Sequence, residues 1–201
     1  MLFRKPAMPD ATPLILDAAS TALVLIDLQQ GILPYAKAPY DAATVLANAV
    51  PLVEAFRAAE APVVRVKVGF SADGRDVLKA RVDAPNPPGA PPGNWLDDPR
   101  ELPSRPGDIA IIKRQWGAFY GTELDLQLRR RGIRTIVLAG IATSIGVEST
   151  ARNAWELGYD IVIAEDATSG PDAGTHANSF QKIFPRIGRV RRTADVLTEL
   201  K

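Results

Sequence analysis

The sequence contains no cysteine and one histidine in 201 residues. The first absence removes disulfides, thiolate metal sites and catalysis by a thiol nucleophile together. The second leaves a single imidazole to ligate a metal. Neither a metal nor a cofactor is expected. No charge of one sign dominates either. Twenty-four Lys and Arg face 23 Asp and Glu, a net charge of +1. So small a charge gives no field that would steer the chain to a polyanion, and a nucleic-acid partner is not expected. Arg129, Arg130 and Arg131 form a basic run, but they fall in the last turn of a predicted helix, where cations complement the dipole. Long apolar runs are missing as well; the longest are strand-sized, which argues against a membrane span. Arg4 and Lys5 are followed by no continuous apolar stretch, so Met1 to Leu16 does not read as a secretory signal. A cytoplasmic location is the expectation.

What is present is a chain long enough for one domain with a sizeable core, residues 1–201, and 46% hydrophobic residues. Strand-like and helix-like runs alternate, which predicts βαβ units, a mainly parallel sheet and the α/β class. Ala22 to Ile26 is apolar on both faces, as in a central strand. Pro62 to Val68 alternates apolar and polar, as in an edge or half-exposed strand. Asp108–Ile112, Thr135–Ala139, Asp160–Ala164 and a short piece near Arg189–Arg191 complete six strands. Val45, Ala49, Leu52, Val53 and Phe56 share a helical face, with Pro51 predicted to kink or restart that helix. Val147, Ala151, Ala154 and Trp155 make the stripe of another, and a late helix covers about Thr175 to Phe184. From 83 to 106 prolines are too dense for any regular element. Trp95 inside that loop either pins it to the body or forms an aromatic wall over a pocket.

Parallel sheets bind ligands at the carboxyl ends of their strands. Three such ends carry chemistry here. Asp27 follows the first strand, Lys113 ends the third, and Gly140 to Gly146 leads from the fourth into a helix whose free N–H groups suit an anion or oxyanion.

Three stretches, Leu23-Val24-Leu25-Ile26-Asp27-Leu28-Gln29, Ile112 to Thr122 and Val137 to Arg152, resemble the isochorismatase-like hydrolase superfamily, in order and over nearly the whole chain. The resemblance implies a three-layer α/β/α Rossmann-like fold with a mainly parallel six-stranded sheet, a small-molecule substrate and a homo-oligomer. It assigns Asp27 as the acid/base and Lys113 as its partner. It puts Gly146 where most relatives have the nucleophilic cysteine, and it often goes with a cis peptide at Ile141–Ala142. True isochorismatases resemble this chain in also having glycine there, so the function implied is Asp-dependent hydrolysis of a small molecule such as an isochorismate-type vinyl ether, without a covalent thiol. The alternatives are an enzyme in which Asp27 activates water directly, and a catalytically silent member acting as a small-molecule binder or oligomeric partner. Gln29, Phe70, Trp95, Trp116, Phe119, Tyr120 and Ala142 are the candidate substrate-binding residues. His176 is read as a cap or surface residue, Asp166 as a structural hydrogen-bonding group, and Arg152 as a tie between its helix and its neighbours.

Overall fold

The computed structural model describes residues 15–84 and 92–201. The readings of Met1–Leu14 and of Pro85, Pro87, Pro88 and Pro91 lie outside them. Six strands form one sheet in the order β3-β2-β1-β4-β5-β6. They are β1 (Thr21–Ile26), β2 (Val63–Val68), β3 (Ile109–Lys113), β4 (Thr135–Ile141), β5 (Asp160–Ser169) and β6 (Arg189–Arg191). Every pairing is parallel.

Each face of the sheet is buried by its own layer. Leu23 and Leu25 of β1 and Val137 and Ala139 of β4 pack under α1 (Ala42–Ala58) and α6 (Thr193–Glu199). Ala22, Val24 and Ile26 point the other way, with Ile136 and Leu138, under α2 (Leu124–Arg130), α3 (Glu148–Glu156) and α5 (Phe184–Ile187). Burial on both faces is why β1 and β4 lack polar alternation. The helix α1 begins at Asp41, whose carboxylate accepts the Thr44 N–H at 2.8 Å, and runs without interruption through Pro51. Among the described residues no helix is long and apolar enough to cross a membrane.

Three sequence expectations are corrected. β2 is an interior strand, and its alternation has another cause. Arg65 and Lys67 point into the connection after residue 92 and both meet Asp98, at 3.0 and 2.7 Å. Second, β5 continues five residues past Ala164, after a register shift opposite Leu138 and Gly140. Third, the late helix is broken: α4 (Ala173–Asn178) passes through a π-helical turn, Ser179–Ile183, into α5.

The strand order reverses between β1 and β4, so their carboxyl ends open a crevice at the topological switch point. Gly140 lets the two ends meet. Its φ is +134°, and a Cβ there would stand 2.1 Å from the Ile26 carbonyl oxygen.

Candidate active site

Asp27 leaves β1 with φ +52°, a left-handed conformation uncommon outside glycine though tolerated best by Asp and Asn. That turn carries its carboxyl over the switch point. Lys113 comes from the end of β3, with β2 lying between it and β1. Its Nζ is 2.7 Å from Asp27 Oδ2 and donates to the Trp116 carbonyl at 2.6 Å. Both side chains are buried, and Asp27 Oδ1 has no hydrogen-bond partner among the described residues.

Burial and the ion pair act on Asp27 in opposite directions. Desolvation penalises the carboxylate, Lys113 favours it, and burial prevails, so the pKa rises from 3.8 to about 6. Such a carboxyl holds a proton available near neutral pH.

Gly146 faces this pair. It lies in a π-helical turn, Thr143–Val147, after a cis peptide bond at Ile141–Ala142. A Cβ on Gly146 would fall 3.0 Å from Lys113 Nζ, 3.1 Å from Asp27 Oδ2 and 3.0 Å from Ile26 Cγ2. The three strand ends named from the sequence therefore converge within one small volume. The turn is held by backbone: the Ala142 carbonyl accepts the N–H groups of Ile145 and Val147. Thr150 Oγ1 donates to the Gly146 carbonyl at 2.7 Å and accepts the Ala118 N–H at 3.1 Å, tying this turn to the loop after Lys113.

The candidate binding residues divide. Ala142 is buried in the site turn, Phe70 is half-buried past β2, and the Trp116 and Tyr120 rings are exposed. Phe119 packs in the core, its ring centroid 5.7 Å from that of Tyr159. Gln29 holds the loop around Trp95. Its amide donates to the carbonyls of Val68 and Trp95, at 3.1 and 2.8 Å, and accepts the Val68 N–H at 2.8 Å. Both amide hydrogens are used and the side chain is fully buried, so Gln29 acts as a strut for the loop. Trp95 pins the same loop. Its Nε1 donates to the Val68 carbonyl at 2.7 Å, and its ring fills the space that a Cβ at Gly31 would need.

Asp166 Oδ1 accepts the N–H and hydroxyl of Thr193, a structural role as read from the sequence. Arg152 pairs with Glu148 one turn away on its own helix; the tie to a neighbour is made by Glu148, whose Oε2 accepts the Ser179 hydroxyl at 2.6 Å. His176 is neither cap nor surface residue: it is buried and hydrogen-bonded to Thr143. A concavity of about 460 Å³, lined by Arg57, Arg105, Asp108 and Arg131, lies near the amino ends of β2 and β3, away from this chemistry.

A buried carboxyl–ammonium pair at the switch point of a parallel sheet lies where α/β enzymes place their small-molecule ligands. Residues 21–195 match the Isochorismatase domain, and the chain belongs to the isochorismatase family of hydrolases. It is 58% identical over 185 residues to the isochorismatase family protein YecD of Escherichia coli O157:H7, covering 92% of this chain and 98% of that protein. An isochorismatase family structure from Burkholderia thailandensis superposes with a TM-score of 0.87 at 43% identity, covering 90% of this chain and 95% of that one. The ureidoacrylate amidohydrolase RutB of Agrobacterium fabrum is 31% identical over 96% of both chains.

Proposed function

We propose that this hydrolase works without a covalent nucleophile, with Asp27 as general acid, on a small vinyl ether of the isochorismate type. The observation that carries the reading is the buried Asp27 carboxyl, its pKa raised to about 6, facing a glycine. Amide hydrolysis through an acyl-enzyme needs a nucleophile, and a chain without cysteine has no thiolate for it. Vinyl-ether hydrolysis needs a proton donor instead.

In this scheme Asp27 protonates the enolpyruvyl methylene carbon, and an oxocarbenium ion forms. Water adds to the cationic carbon and returns a proton to Asp27. The hemiketal then collapses to pyruvate and the ring alcohol. Lys113 stabilises the carboxylate left after proton transfer, and its hydrogen bond to Trp116 keeps it in place. A cytoplasmic homo-oligomer acting on a small molecule, with no cofactor, completes the proposal.

A lactate-dehydrogenase-coupled assay with isochorismate tests it. Pyruvate release that disappears in Asp27→Asn is expected. Absence of pyruvate, or ammonia released from an amide panel at enzymic rates, overturns it.

A further inference from the structure

The one histidine sits behind the site turn in a network that the proposed chemistry does not use. His176, on α4, is 4% exposed. Its Nδ1 is 2.8 Å from Thr143 Oγ1, and Thr143 is the first residue of the turn that carries Gly146. Its Nε2 has no hydrogen-bond partner among the described residues and faces Glu165 Oε1 at 3.6 Å. The ring is fixed on two sides, with Phe180 at 4.5 Å between centroids and Tyr40 edge-on at 6.3 Å.

Chemistry assigns the tautomer. A carboxylate accepts only, so the ring proton belongs on Nε2, toward Glu165, and Nδ1 is an acceptor. Thr143 must then donate its hydroxyl to the ring. Glu165 is itself held by the Tyr40 hydroxyl, which donates to it at 2.9 Å, and lies 3.9 Å from Arg192. Burial pushes His176 below the usual histidine range, with Glu165 opposing, consistent with an uncharged ring.

We propose that His176 is a positioning residue: its Nδ1 accepts the Thr143 hydroxyl and fixes the first residue of the turn that sets Gly146 against Asp27 and Lys113. Thr150 holds the far part of that turn through the Gly146 carbonyl, and His176 holds its start. Between these two clamps the turn keeps the volume beside the ion pair open. The kinetic consequence rests on the vinyl-ether reading above; the structural one does not.

The test uses untagged, full-length, ¹⁵N-labelled protein, whose single imidazole gives one set of ring signals. The expected tautomer carries its proton on Nε2. Thr143→Val removes the hydroxyl donor and is expected to shift both the Nδ1 signal and the Gly146 amide; Thr143→Ser is expected to restore both. His176→Phe is expected to shift the Gly146 amide in the same sense, and the double variant to add nothing. With isochorismate, Thr143→Val is expected to lower kcat about tenfold at nearly unchanged KM, with Thr143→Ser near wild type. A proton on Nδ1, or a Gly146 amide indifferent to Thr143→Val, overturns the proposal. Should His176→Phe not fold, the two Thr143 variants still decide it. A wild-type protein inactive on isochorismate removes the vinyl-ether reading alone and leaves the ring and amide signals to judge His176.

Discussion

Asp27 Oδ2 and Lys113 Nζ meet at 2.7 Å, with side chains 7% and 2% exposed, yet the carboxyl pKa is raised rather than lowered. Taking the carboxylate out of water costs more than one partner at contact distance returns. The Asp27 carboxyl therefore titrates close to neutrality, and its behaviour should depend on pH in a direction that can be stated.

If Asp27 donates the proton, turnover of a vinyl ether falls as pH rises through about 6, when the carboxyl loses it. The check is kcat measured from pH 5 to 8. A profile that rises across pH 6 would instead assign Asp27 as a base.

Stability has the same sign. The folded pKa of Asp27 lies above its ordinary value of 3.8, so its contribution is full below pH 3.8 and is lost as pH rises through about 6. Asp27→Asn cannot titrate. Its stability deficit against wild type is therefore expected to be greatest near pH 4 and to shrink by pH 7.5, read from denaturant midpoints. At both pH values the variant is expected to remain folded by circular dichroism.

Gly146→Ala puts a Cβ 3.0 to 3.1 Å from Nζ, Oδ2 and Ile26 Cγ2 at once. Neighbours must give by a few tenths of an ångström, at a cost of about 1–3 kcal/mol. Thermal unfolding should show that loss, and turnover should fall with it. Gly146→Cys is expected to leave ammonia release from amides at background, because its Cβ displaces the pair a thiol would depend on.

Gln29→Glu replaces the donor that faces the Val68 and Trp95 carbonyls with an oxygen. Two buried carbonyls then lose their partner and face a third acceptor, a cost of about 2 kcal/mol or more. Limited proteolysis should cut residues 92–104 faster than in wild type.

Asp27 and Lys113 were legible in the sequence because each closes an apolar strand, a local signal, whereas Gly146 was singled out by the resemblance that puts it where most relatives have cysteine. The six strands and their parallel sense followed from the same alternation of patterns. Arg65 and Lys67 misled for a physical reason: their partner Asp98 lies some thirty positions on, and local alternation cannot separate a buried charge with a distant partner from a solvated one. The bracing role of Gln29 was hidden in the same way, since its three partners belong to β2 and the loop around Trp95. His176 looked peripheral because nothing near it in the chain is catalytic; only the packing of α4 beside the end of β4 brings it to Thr143.

β2 lies between the strands that supply Asp27 and Lys113. The lysine and aspartate side chains together therefore bridge two strand spacings, each about 4.8 Å. The ion pair cannot form in a hairpin or in any fragment of neighbouring strands, since it requires β2 already slotted between β1 and β3. Contacts of such long sequence separation carry a loop-closure cost and tend to form late. In refolding experiments, protection of the Lys113 ammonium should therefore trail protection of the β1–β2 amides, and the site's own pair becomes a clock for completion of the sheet.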